Sequence, residues 1–194
     1  MFLENTANLS EQFGSIEVIC GSMFSGKTEE LIRRINRCRI SKLKVIALKP
    51  SVDNRYGKNI IISHNKKSVK AVEVESSGEI INLAKEFDVV AIDEAQFFDK
   101  KIVSVCNKLA NEGLRVIVAG LDMDSNGSPF GSMPNLMAVA EFVTKLHAIC
   151  SKSGNIAQFT FRKVENDNLI AVGEKEKYEA LSRKVFYNLM KEKN

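Results

Sequence analysis

The sequence predicts an α/β fold: a parallel sheet flanked by helices, with a small C-terminal module. Three observations predict it. Short β-branched runs alternate with helical stretches along most of the chain. Those runs are apolar nearly throughout rather than at every second residue, the pattern of parallel strands covered on both faces. Near Ser151–Asn155 the chemistry changes to a polar turn, and a different set of short elements follows.

Residues 1–13 are mostly polar, lack sustained periodicity and read as a loosely held arm. Ser15–Cys20 is the first expected strand. Lys27–Ser41 is a helix with Leu31, Ile32, Ile35 and Cys38 on one stripe, and with Arg33, Arg34, Arg37 and Arg39 on a solvated face. Lys44–Lys49 is a second strand. Ile60–Ile62 and Val69–Val74, separated by a polar turn, read as an added hairpin. Val89–Asp93 is a strand, and Asp99–Glu112 a helix that repeats the apolar stripe with Ile102, Val103, Cys106 and Leu109. Arg115–Gly120 and Phe142–Leu146 are further strands. In the tail, Ala157–Val164 and Leu169–Val172 are strands around the turn Glu165–Asn168. A final helix, Lys177–Lys191, places Tyr178, Leu181, Val185, Phe186 and Leu189 on its apolar side. The implied organisation is an arm at 1–13, an α/β domain at 14–146 and a small module at 147–194.

Composition narrows the classes. The 194 residues suffice for one compact domain with a small appendage. With 28 Lys+Arg against 24 Asp+Glu, the formal charge is only +4, too mild to argue for nucleic acid, and no aromatic residues interleave with the four helix arginines. The best apolar run, Val116–Leu121, has six residues, far short of the ~20 of a membrane span. The first basic residue is Lys27, after Glu4, Glu11 and Glu17, unlike the start of a secretory signal. Cys20, Cys38, Cys106 and Cys150 are scattered without Cys-x-x-Cys spacing and read as small buried hydrophobes. A reduced, cytoplasmic protein is expected.

Gly21-Ser22-Met23-Phe24-Ser25-Gly26-Lys27-Thr28 matches Gly-x-x-x-x-Gly-Lys-[Ser/Thr], with a β-branched strand before it and a helical pattern after it. The glycines let backbone N–H groups converge on phosphate oxygens, and the helix N-terminus adds its dipole. Lys27 would reach the β- and γ-phosphates, and Thr28 would ligate Mg²⁺. Val89-Val90-Ala91-Ile92-Asp93-Glu94 is a buried-strand run ending in two carboxylates, the pattern of a Walker B strand. Asp93 would hold Mg²⁺, directly or through water, while Glu94 accepts a proton. Together the two motifs predict Mg²⁺–nucleoside triphosphate binding.

Further motifs resemble the thymidine kinases of the cellular and bacterial type (type II). They are the phosphate loop itself, Lys49-Pro50 after a strand, Asp53-Asn54-Arg55-Tyr56, and Asp93-Glu94-Ala95-Gln96-Phe97-Phe98. Gly120-Leu121-Asp122, Pro129-Phe130-Gly131 and His147-Ala148-Ile149-Cys150 complete the set. The resemblance runs from about Gly14 to Tyr187. It implies transfer of the γ-phosphoryl group of ATP to the 5′-hydroxyl of thymidine, with Mg²⁺, as a step of nucleotide salvage. Glu94 matches the general base, and Arg55 an arginine that contacts the phosphates; Asp53 and Gln96 match further positions of the ATP site. Met23, Phe97, Leu121, Phe130 and Thr160 match pocket-lining positions. Leu169, Ile170, Ala171, Val172, Gly173 and Tyr178 match a lasso-like loop that closes over the base; on residues alone they read as an edge strand and a helix-stripe aromatic. A small pocket beside the thymine methyl group favours thymidine or deoxyuridine over cytidine. A homotetramer is also implied, with no nucleic-acid or membrane partner.

Two positions depart from the family pattern. Its structural zinc site retains only Cys150 here, with Ser153, Ser182 and Val185 at the other three ligand positions. One thiolate cannot make a four-coordinate zinc site, and a serine hydroxyl is a poor ligand, so zinc is expected to be absent. Ser125 stands where the family commonly has an aromatic residue beside the base, which predicts weaker nucleoside binding. Two other readings remain open to the residues themselves. A P-loop ATPase acting on nucleic acid is one, since Asp93-Glu94-Ala95-Gln96 also resembles a helicase box. A non-catalytic nucleotide-binding regulator is the other.

Overall fold

The computed structural model describes residues 14–53, 57, 59–63, 65–163 and 177–193. Six strands form one all-parallel sheet: β1 (Ser15–Gly21), β2 (Val45–Pro50), β5 (Val72–Val74), β6 (Val89–Ile92), β7 (Arg115–Gly120) and β8 (Phe142–Leu146). Their spatial order is β5-β2-β6-β7-β1-β8. The phosphate-loop strand β1 and the acidic strand β6 are therefore separated by β7 alone. Helices α1 (Lys27–Ile40), α2 (Glu79–Leu83), α3 (Ile102–Asn111) and α4 (Met133–Val139) connect and cover the strands.

Alternate residues of each strand enter different apolar layers, which explains runs that are apolar throughout. Ile16, Val18, Val90, Ile92, Val116 and Val118 pack with α2, α3 and α4. Ile19, Val89, Ala91, Ile117 and Ala119 pack instead with Leu31, Ile32, Ile35 and Cys38 of α1. Both faces of the central strands are thus dry, as the sequence predicts. Strand β8 departs from that expectation: it is a sheet edge, its residues are only partly covered, and Val143 is 45% exposed.

Several local expectations are corrected. Of the expected second hairpin arm Val69–Val74, only Val69 and Lys70 pair antiparallel with β3 (Ile60–Ile62), as part of β4 (Ser68–Lys70); Val72–Val74 turn away and become β5, parallel to β2. Ala157–Val164 is two strands, β10 (Ile156–Ala157) and β11 (Phe159–Arg162); β10 pairs with β9 (Ala148–Ile149). The expected helix Lys177–Lys191 is a strand followed by a helix. Its first part, β12 (Tyr178–Leu181), pairs antiparallel with β11, and α5 covers Arg183–Lys193. Tyr178 and Leu181 therefore lie on a strand, not on one stripe with Val185 and Leu189. The expected arm at 1–13 and the expected strand Leu169–Val172 lie outside the described residues.

Arg34 corrects the solvated-face expectation. Arg33, Arg37 and Arg39 are exposed, but Arg34 is 4% exposed. Its guanidinium donates to Glu17 at 2.6 Å, to Glu30 at 2.8 Å and to Thr144 at 2.9 Å. Glu17, in the middle of β1, faces the α1 layer, and Arg115 on β7 also donates to it at 2.6 Å. A buried carboxylate needs such partners, because an unpaired charge in this layer is strongly destabilising.

A third apolar cluster joins Ala148, Cys150, Ala157, Phe159, Phe161, Ala180, Leu181 and Phe186, with Phe24 of the phosphate loop packed against it. Phe159 and Phe186 stack with centroids 4.6 Å apart. No helix among the described residues is long and apolar enough to cross a membrane.

Candidate active site

The site lies where β1, β6 and β7 end. Residues 21–28 turn from β1 into α1 through left-handed backbone at Phe24 (φ 64°) and Gly26 (φ 89°), with Gly21 at φ 141°. Such turns curl successive N–H groups inward as an anion-binding concavity. Gly21 is required here: a Cβ would stand 2.1 Å from the carbonyl oxygen of Leu146. Gly26 caps α1 without a side-chain hydrogen bond, so no side chain competes for the helix N-terminus. The Ser25 hydroxyl is buried with no hydrogen-bond partner among the described residues, and Lys27 reaches back to the carbonyl oxygen of Ser22 at 2.8 Å. These are the features of a phosphate cradle.

Thr28 and Asp93 meet across 65 residues of chain, the Thr28 hydroxyl donating to Asp93 Oδ2 at 3.2 Å. Two strand spacings of about 4.8 Å separate β1 from β6, and Thr28, in the first turn of α1, meets Asp93 across them. A hydroxyl and a carboxylate oxygen so placed fit Mg²⁺, which takes hard oxygen donors and shares them with phosphate. Asp93 also accepts the N–H of Glu94 at 3.0 Å. Glu94 itself has φ 52° and ψ 41°. A non-glycine residue in this region costs about 1–3 kcal/mol, a strain that clusters at functional sites. It turns the Glu94 carboxylate away from Asp93 and toward Gln96, whose amide donates to Glu94 Oε2 at 2.5 Å.

The other expected site residues fall as follows. Asp53 is buried, and its carbonyl accepts from Lys49 at 3.0 Å. Met23 donates its N–H to the Thr160 hydroxyl at 3.0 Å, so these two expected pocket residues are joined. Phe97 and Phe130 meet edge to face at 5.7 Å. Leu121 donates its N–H to Gln96 Oε1 at 2.9 Å. Tyr178 is buried on β12 with the Arg162 guanidinium 5.6 Å over its ring. Arg55, Leu169, Ile170, Ala171, Val172 and Gly173 lie outside the described residues.

Two residues were not singled out for a role by sequence reasoning. Lys49 is 1% exposed, and besides the Asp53 carbonyl it donates to the Gly57 carbonyl at 2.7 Å, joining these two residues through one buried ammonium. Lys145 of β8 pairs with buried Asp122 at 2.7 Å, holding the chain that follows β7 beside Leu121. A charge inside an otherwise apolar strand was the available signal for both.

The positions of the family's zinc ligands do converge. Ser153 and Ser182 hydroxyls are 3.1 Å apart, and both hydrogen-bond Cys150. A single thiol, two hydroxyls and Val185 do not fit zinc. Burial pushes the Cys150 thiol up. Hydrogen bonds from Ser153 and Ser182 and from the N–H groups of Ser182 and Lys152 outweigh it and bring the pKa down to about 6. The buried Cys20 and Cys106 are pushed up instead, to about 11 and about 12.

A phosphate cradle, a hydroxyl–carboxylate pair and a second acid at neighbouring strand ends define a P-loop nucleotide-binding protein. The sequence profile of the thymidine kinase family matches residues 14–186. The chain is 48% identical to a thymidine kinase of Bacteroides fragilis, over 99% of this chain and 96% of that protein. It is 49% identical to one of Bacteroides thetaiotaomicron (96% and 94% covered) and 48% identical to one of Porphyromonas gingivalis (93% and 89%). The chain belongs to the thymidine kinase family.

Proposed function

We propose that this chain transfers the γ-phosphoryl group of ATP to the 5′-hydroxyl of thymidine, and also of deoxyuridine, in nucleotide salvage. The observation that carries the reading is the Thr28–Asp93 contact beside Glu94, in a chain of this family. The 5′-oxygen forms a bond to the γ-phosphorus as the bond to the β,γ-bridging oxygen breaks. The electron pair leaves with ADP, and the proton passes to Glu94. The loop N–H groups and Lys27 hold the phosphates. Arg55 is assigned to the charge that develops on the transferred group, and Asp53 to the same phosphate side. Thr28 and Asp93 would hold Mg²⁺, which when bound spreads the negative charge of the β- and γ-phosphates.

Met23, Phe97, Leu121, Phe130 and Thr160 are assigned to the nucleoside pocket. The lasso at Leu169–Gly173, the small module at 147–194, the homotetramer and the absence of zinc rest on the resemblance and on the residues at the four ligand positions. A reducing, cytoplasmic setting suits four free, buried cysteines. The test is a phosphoryl-transfer assay over the four natural deoxynucleosides and deoxyuridine. Product is expected with thymidine and deoxyuridine; no transfer to either, with ATP hydrolysis stimulated by nucleic acid, would contradict the reading.

A further inference from the structure

Gln96 lies between two groups that the proposed function gives separate duties. Its side chain bridges Glu94 Oε2 at 2.5 Å and the backbone N–H of Leu121 at 2.9 Å. The direction of the bridge is fixed by chemistry. A backbone N–H only donates, so the amide oxygen must face Leu121, and the NH₂ is left for the Glu94 carboxylate. The residue is 3% exposed, so neither bond has water as a ready substitute.

The surroundings are cut to this side chain. A Cβ on Gly120 would stand 2.7 Å from Gln96 Oε1 and 2.6 Å from the Met133 sulfur. A Cβ on Gly131 would stand 2.4 Å from the backbone oxygen of Gln96. Two separate chain segments thus leave space for Gln96, the end of β7 at its side-chain amide and the turn before α4 at its backbone carbonyl. The strained backbone of Glu94 turns its carboxylate to this amide.

We propose that Gln96 is a positioning residue that registers the proton-accepting carboxylate of Glu94 to Leu121, a wall of the nucleoside pocket. This rests on the proposed function. Without the amide, the Glu94 carboxylate keeps its chemistry but loses a fixed distance to the nucleoside hydroxyl. A misplaced base lowers the rate of the chemical step more than it weakens nucleotide binding.

The test is steady-state kinetics on the full chain, with thymidine and ATP varied separately, for wild type, Gln96→Met and Gly120→Ala. Gln96→Met keeps the volume and removes both hydrogen bonds. Gly120→Ala keeps the Gln96 side chain but crowds its oxygen and the Met133 sulfur, so circular dichroism and unfolding midpoints of both variants are measured to establish that each kcat belongs to folded protein. The expected result is a kcat reduced by about 10- to 100-fold in Gln96→Met and a smaller reduction in Gly120→Ala, with KM for ATP within about twofold of wild type. An unchanged kcat in Gln96→Met, or a raised KM for ATP at constant kcat, overturns the proposal and leaves the proposed function standing. Wild-type protein inactive on thymidine overturns both.

Discussion

The Thr160 hydroxyl on β11 accepts a hydrogen bond from the backbone N–H of Met23 in the phosphate loop, at 3.0 Å. Ser22 adds a second tie, its hydroxyl donating to the carbonyl of Ala157 at 3.3 Å. The loop that cradles phosphate is thereby fastened to the strands on which the third apolar cluster is built. Thr160→Val removes the acceptor while keeping the shape, leaving the Met23 N–H unpaired. We expect a loss of about 1–3 kcal/mol in urea unfolding and a raised KM for thymidine, with Thr160→Ser near wild type. Equal KM values in the valine variant would show that the tie is dispensable.

Cys150 gives a pH signature. Its thiol is held down to about 6 from 9.0, whereas burial raises Cys20, Cys38 and Cys106. A pKa lowered by folding contributes stability that is present above the unfolded value, and that stability is lost as pH falls through the folded one. The stability advantage of wild type over Cys150→Ala is therefore expected to shrink as pH falls from 9 to 6. Ultraviolet absorbance should show one thiolate step near pH 6, absent in Cys150→Ala. An advantage independent of pH would refute the assignment. A zinc ion retained after dialysis would do the same.

Arg34 anchors α1 to the sheet, through Glu17 of β1 and Thr144 of β8. Arg34→Met leaves Glu17, 1% exposed, with only Arg115 as a charged partner among the described residues. With Arg115 still paired to Glu17, the expected cost is about 1.5–3 kcal/mol, which denaturant unfolding should register. A change below about 1 kcal/mol, typical of a surface pair, would contradict this.

Ser125 sits in the loop after β7 that Asp124 folds back by accepting the N–H groups of Asn126 and Ser128, each at 2.9 Å. Ser125→Phe restores the aromatic residue common in the family. It should lower KM for thymidine by about fivefold, the equivalent of the ~1 kcal/mol of an aromatic contact. An unchanged KM would mean that another group covers the base.

The phosphate cradle was legible because its chemistry imposes a fixed spacing, and the central strands because both of their faces are dry. Other features depend on partners distant in sequence. Tyr178 and Leu181 fit a helical stripe by spacing; only pairing with Phe159–Arg162 makes them a strand. Arg34 reads as one of four surface arginines until Glu17 is brought beneath it. The lone acid in an apolar run was the one clue. Helix α4 is seven residues long among Pro129, Gly131 and Pro134, too short and too interrupted to show a period. The role of Gln96 follows from the left-handed turn at Glu94, which no residue pattern announces.

The most direct test compares thymidine-dependent ADP release by wild type and Glu94→Gln, with ATP binding measured on both. Wild type should release one ADP per thymidine monophosphate formed. Glu94→Gln should bind ATP as well as wild type and transfer phosphate about 10²–10⁴-fold more slowly. Undiminished transfer by Glu94→Gln would contradict the account.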